Sequence, residues 1–195
     1  MGRRSNFLRI DKDAYDTPPE AVLPLLPYLH PGTRFIEPCG GKGALTAAVQ
    51  AHGHQCVYTC DIAPRASGII QRDALDLVGR DVLAADMIIT NPPWTRECLH
   101  PLIDHFRQLR PTWAHTQQAG PLLRFCSRFV TVGRVKWIPG TLMTGKDDAA
   151  WFRFEAFETQ TVFIGNVAAD RARAASPRGS TPARSRAWSA DHGQA

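Results

Sequence analysis

Thr33-Arg34-Phe35-Ile36-Glu37-Pro38-Cys39-Gly40-Gly41-Lys42-Gly43, running on through Ala44-Leu45-Thr46-Ala47-Ala48-Val49-Gln50-Ala51-His52, decides the fold. Thr33 to Pro38 is a short apolar run that ends in a glycine-rich turn, and Ala44 to His52 then carries small and apolar residues at helical spacing. This reads as strand, turn, helix. Glycines at such a junction let the backbone bend sharply and approach a ligand closely. The helix that follows offers free N–H groups to a carboxylate or phosphate.

Outward from this unit, Gln55 to Asp61 reads as a second strand, introduced by the turn signal His52-Gly53-His54. Asp61 closes it 20 residues after Gly41, where a carboxylate can accept from both hydroxyls of a ribose. The third glycine of a dinucleotide fingerprint is missing, its place being taken by Thr46. A different adenosyl cofactor therefore fits at least as well. Met87 to Thr90 is a third strand, and beyond it Leu99, Leu102, Ile103, Phe106 and Leu109 mark an amphipathic helix stopped by Pro111. Repeated strand-helix units with apolar strands imply a mostly parallel sheet covered on both faces.

Asn91-Pro92-Pro93-Trp94 stands where the third strand runs out. Open α/β sheets bind ligands at the carboxyl ends of their strands, so this tetrapeptide is expected to face the same crevice as the glycine turn. The prolines hold the backbone rigid, the Asn oxygen and a backbone carbonyl can accept from a planar amino group, and the indole offers a face for stacking. Further on, Arg128 to Trp137 and Trp151 to Phe157 alternate at period two on either side of a loop containing Gly140, Gly145 and Lys146-Asp147-Asp148. They are expected to form an antiparallel hairpin at the end of the sheet. Between the amphipathic helix and Pro121, only Pro111 to Thr116 is available for another strand. Its polarity and shortness suggest that a buried central strand is truncated or deleted there.

Glu-Pro-x-x-Gly-x-Gly followed by Asn-Pro-Pro-Trp resembles motifs I and IV of the class I S-adenosylmethionine-dependent methyltransferases that act on amino groups, adenine N6 or cytosine N4. Tyr15-Asp16-Thr17-Pro18 is similar to the family's N-terminal motif X, and the order X, I, IV is the gamma-type arrangement. Arg128 to Phe157 looks like the last strands of small phage-type DNA methyltransferases. The resemblance spans roughly residues 15 to 160. It implies a Rossmann-like fold with S-adenosyl-L-methionine as cofactor. Tyr15, Thr17, Pro18, Glu37, Pro38, Gly41 and Gly43 would surround its methionine end, Asp61 its ribose and Asp73 its adenine. Asn91 with the Pro92 carbonyl would hold the target amine, Pro93 would stiffen the turn, and Trp94 would stack on a flipped base. Adenine N6 in DNA is the first expectation. RNA, a protein glutamine, or a degenerate module of prophage origin without turnover are the alternatives.

Length and composition bound these readings. The 195 residues, 44% hydrophobic and 21% charged, suffice for one domain with a core. No segment of a hundred residues remains for target recognition, so DNA binding is expected to be weak and of low specificity without a partner. The formal charge is +5, but residues 1–168 hold 18 Lys/Arg against 16 Asp/Glu, while five arginines and two aspartates fall in 169–195. The expected layout is thus a methyltransferase domain over 1–168 and a disordered basic tail over 169–195. Five cysteines without a CxxC pair suit a reducing cytoplasm. His52, His54, Cys56 and Cys60 fit a helix-to-strand turn better than a zinc site, and no metal is expected. The apolar stretch Ala21 to Leu29 is interrupted by Pro24 and Pro27, so no membrane segment is expected either.

Overall fold

A computed structural model describes residues 15–117, 119–138, 145 and 148–165. The tail expected over 169–195, and Lys146-Asp147 of the hairpin loop, lie outside the described residues.

The quoted stretch folds as read: β1 (Arg34–Glu37) leads through the glycine turn into α2 (Ala44–Gln50), preceded by a short α1 (Pro19–Val22). The remaining elements are β2 (Gln55–Asp61), β3 (Ile70–Gln71), β4 (Met87–Thr90), α3 (Arg96–Leu109), β5 (Thr112–Thr116), β6 (Cys126–Gly133), β7 (Ala149–Phe154) and β8 (Val162–Ile164). They form one sheet in the order β3-β2-β1-β4-β5-β7-β6-β8. Strands β1 to β5 pair in parallel, and β7 runs antiparallel to both β5 and β6. The architecture is a Rossmann-like α/β sheet closed by the expected antiparallel hairpin. An eighth strand, β8, pairs in parallel with β6 and was not legible in the sequence. Three residues give too short a run for periodicity to register.

Side-chain alternation along the strands divides the core into two layers. Phe35, Ile89, Trp113 and Trp151 face α1 and α2, with Val22, Leu25, Leu45 and Val49 packed on them. Ile36, Ile88, Ala114 and Phe152 face the opposite way, where Leu99, Leu102, Ile103 and Phe106 of α3 cover them. These four lie on one stripe of α3 because they recur every three or four residues.

The expectation of a truncated or deleted strand at Pro111 to Thr116 is overturned. All five residues of β5 are buried, and the strand sits between β4 and β7 in the middle of the sheet. Thr is a favourable strand residue, and ladders on both sides satisfy the backbone. Thr112 Oγ1 donates to the Arg110 carbonyl, and the fully buried Trp113 supplies about 2–3 kcal/mol of apolar burial. Polarity read off the sequence therefore misjudged a strand whose backbone and Thr112 hydroxyl find partners, while Trp113 Nε1 and both His115 ring nitrogens are buried without one.

Candidate functional site

The glycine turn is built around its contacts to β2. Gly40 N–H donates to the Cys60 carbonyl at 2.9 Å, and Gly41 N–H donates to Asp61 Oδ2 at 2.8 Å. A Cβ on Gly40 would collide with Thr59 Oγ1, so glycine lets the turn approach β2 this closely without displacing that side chain. Gly41 and Gly43 have φ of +54° and +85°, and Gly43 caps α2. Asp61 also accepts from Ala63 N–H through its other oxygen, which fixes the carboxylate while leaving a lone pair free on each atom.

Above the carboxyl ends of β1, β2 and β4 lies a cavity of about 520 Å³. Of the residues picked out in the sequence, it brings together Tyr15, Thr17, Glu37, Pro38, Gly41, Asp61, Asp73, Asn91 and Pro93. Pro18, Gly43, Pro92 and Trp94 do not line it. Pro18 caps α1, Gly43 caps α2, and Pro92 is buried. Asp73 accepts from the Leu75 amide and so starts the short helical turn at Ala74–Asp76.

Glu37 is the buried carboxyl of the site. Its side chain is 1% exposed, Oε1 accepts from the Thr90 hydroxyl at 2.8 Å, and Oε2 has no partner. Burial pushes its carboxyl well above the usual value, and the Thr90 hydroxyl with the Cys39 and Asn91 amides offsets only part of this. Burial likewise raises the neighbouring Cys39 thiol, which leaves it protonated and a poor nucleophile. Asn91 is held at both ends: Nδ2 donates to Thr17 Oγ1 at 3.0 Å, and Oδ1 accepts from Trp94 Nε1 at 3.2 Å. The same indole N–H reaches the His115 carbonyl at 3.0 Å. Trp94 packs edge-on against Trp137, with ring centroids 5.2 Å apart.

Several residues of the site escaped the sequence reading. Ile62 and Leu75 line the cavity while remaining 59% and 45% exposed, so two apolar side chains flank it next to Asp61 and Asp73. Ile62 directly follows Asp61, a signal that was available. Leu75 becomes visible only once β3 and its following turn are placed. Arg65 also lines the cavity, its guanidinium lying over Gly41 and pairing with Asp16 at 2.7 Å; Lys42 holds the other oxygen of Asp16. Glu97 and Cys98 enter from the first turn of α3. Among the described residues no group of three or more His, Cys, Asp or Glu side chains is placed to hold a metal, and no helix is long and apolar enough to cross a membrane.

No family model matches the sequence, and no curated protein matches it. Among solved structures, that of a proposed RNA methyltransferase from Pyrococcus horikoshii aligns with a TM-score of 0.57 at 16% identity, covering 80% of this chain and 93% of that one. A proposed methyltransferase from Escherichia coli aligns at a TM-score of 0.46 and 13% identity, over 70% of this chain and 84% of that one. The first likeness shows the fold: the chain has the Rossmann-like architecture of class I methyltransferases.

Proposed function

We propose that the protein is an S-adenosyl-L-methionine-dependent methyltransferase acting on an exocyclic amine, with adenine N6 in DNA as its substrate. One observation carries the reading: Asn91, at the carboxyl end of β4, lines the same cavity as the glycine turn, Glu37 and Asp61. An acceptor for a planar amine thus sits beside the features suited to an adenosyl amino acid.

The residues present fit that cofactor. Glu37 Oε2, buried and unpartnered, suits an ammonium group, while the remaining lone pairs of Asp61 suit ribose hydroxyls. Ile62 and Leu75 offer apolar contact to an adenine ring, and Asp73 stands next to them for its amino group. When bound, the cofactor supplies a methyl group on a positively charged sulfur, which passes in line to a nucleophilic nitrogen. Asn91 Oδ1 accepts an N–H of the target amine. This localises its lone pair and fixes its approach, and such positioning supplies much of the rate. A base in duplex DNA must leave the stack to arrive there.

A second reading is transfer to an amino group in RNA, favoured by the description of the Pyrococcus horikoshii protein as a proposed RNA methyltransferase. Incubation with methyl-labelled cofactor and unmethylated DNA or RNA, followed by nucleoside mass spectrometry, separates the two. Label in N6-methyladenine of DNA, lost in Asn91→Ala, is the expected result. Label in RNA alone, or in protein, overturns the DNA assignment. Absence of transfer to any substrate, with cofactor binding retained by calorimetry, overturns the enzymatic reading.

A further inference from the structure

We infer that Trp94 is a positioning residue whose indole N–H sets which way round the Asn91 carboxamide sits, so that a plain aromatic ring cannot replace it. This rests on the amine-methyltransferase reading of Asn91. It assigns Trp94 a role separate from stacking.

An asparagine side chain can present oxygen or nitrogen to either side, and only the oxygen can accept a target amine. Of the two groups that grip Asn91, the Thr17 hydroxyl can donate as well as accept, so it tolerates both orientations. The indole Nε1–H of Trp94 can only donate. With the amide reversed, the Asn91 NH₂ would face the indole N–H, donor against donor, in a half-buried site. The indole alone therefore discriminates. It accomplishes this with one lone pair of Oδ1, which leaves the second for a substrate N–H.

The indole is itself held in place. Its N–H is shared between Asn91 Oδ1 and the His115 carbonyl, and His115 is held in the sheet by its pairing with Trp151 of β7. The ring rests edge-on against Trp137 and 5.8 Å from the buried His115 ring. Phenylalanine would keep this packing and any stacking face while losing the donor.

A double-mutant cycle tests the inference. Trp94→Phe is expected to lower kcat about tenfold with KM for DNA and cofactor affinity within about twofold, the size expected for loss of one oriented hydrogen bond. A carboxylate has an acceptor on both sides and needs no orientation, so in an Asn91→Asp background the same change is expected to alter kcat by less than about twofold. Equal losses in both backgrounds, or no loss in either, overturn the inference. A second measurement is independent of turnover: in ¹⁵N-labelled protein the Asn91 Nδ2 resonances are expected to shift or broaden in Trp94→Phe as the amide begins to rotate. Unchanged resonances overturn the inference even if no methyl acceptor is found. Absence of transfer in the wild type counts against the proposed function alone.

Discussion

Glu37 shows how burial and a missing partner couple one carboxyl group to ligand binding. Its raised folded pKa means that the folded protein keeps this proton longer than the unfolded chain does. The stability it contributes is fully present below the ordinary value of 4.5 and is lost as pH rises through the folded value. An ammonium group beside Oε2 reverses the balance by favouring the carboxylate. Binding of S-adenosylhomocysteine is therefore expected to release a proton and to tighten as pH rises from the ordinary carboxylate value of 4.5 toward the raised value of the free protein. Calorimetry in buffers of different ionisation enthalpy measures both effects. Glu37→Gln should abolish the linkage and weaken binding about tenfold; pH-independent binding by the wild type would contradict this account of Glu37. His115 has the opposite sign. Burial among Trp94, Trp137 and Trp151 lowers its ring to about 3, with neither nitrogen partnered. Its contribution is present above the ordinary value of 6.5 and is lost as pH falls toward 3. Going from roughly pH 7 to 5 should cost about 2 kcal/mol, and thermal melts of His115→Phe should show that much less acid sensitivity. Equal sensitivity in the variant would show that the His115 ring is neutral for another reason.

The glycine turn and β5 are the elements on which the site depends, and they depend on context in different ways. The turn needs glycine at Gly40 because a Cβ there would overlap the Thr59 hydroxyl. Gly40→Ala forces the Thr59 hydroxyl to shift, and it is expected to disturb the end of β2 that carries Asp61. Cofactor affinity is expected to fall at least about tenfold, with a stability loss of about 1–3 kcal/mol. Denaturant melts and calorimetry on the same variant measure the two. A normal affinity would mean that the turn relaxes without moving Asp61. Strand β5 needs its neighbours instead. Thr112, His115 and Thr116 are polar, yet β4, β7 and the aromatic rings around His115 bury them completely. In return the strand fixes the carbonyl that anchors Trp94.

At the scale of the whole molecule, the cavity collects residues from six parts of the chain: the segment before α1, the glycine turn, the end of β2, the turn after β3, the end of β4 and the start of α3. The excess positive charge belongs elsewhere. Residues 1–168 carry a net charge of only +2, and the five arginines of 169–195 supply most of the balance. If those arginines neutralise phosphates, deleting 169–195 should weaken DNA binding at low salt and flatten its salt dependence by about 0.9 for each phosphate left unneutralised. Fluorescence anisotropy across a salt series measures this. Identical slopes would mean that the segment takes no part in binding.

By itself the sequence determined the strand-turn-helix unit at Thr33 to His52, strands β2 and β4 to the residue, the apolar stripe of α3 and the closing hairpin. These signals are local: periodicity, glycine and proline need no knowledge of what lies opposite. Nine of the thirteen site residues named from sequence line one cavity, because strand ends and their turns gather on one side of a parallel sheet. Only the tertiary structure decided the rest. That β5 is a central strand, that Ile62 and Leu75 flank the cavity, that Glu37 finds Thr90 but leaves one oxygen unpaired, and that Trp94 grips Asn91 all depend on partners distant in the chain. Burial and hydrogen-bond satisfaction are properties of neighbours in space, and residue order does not record them.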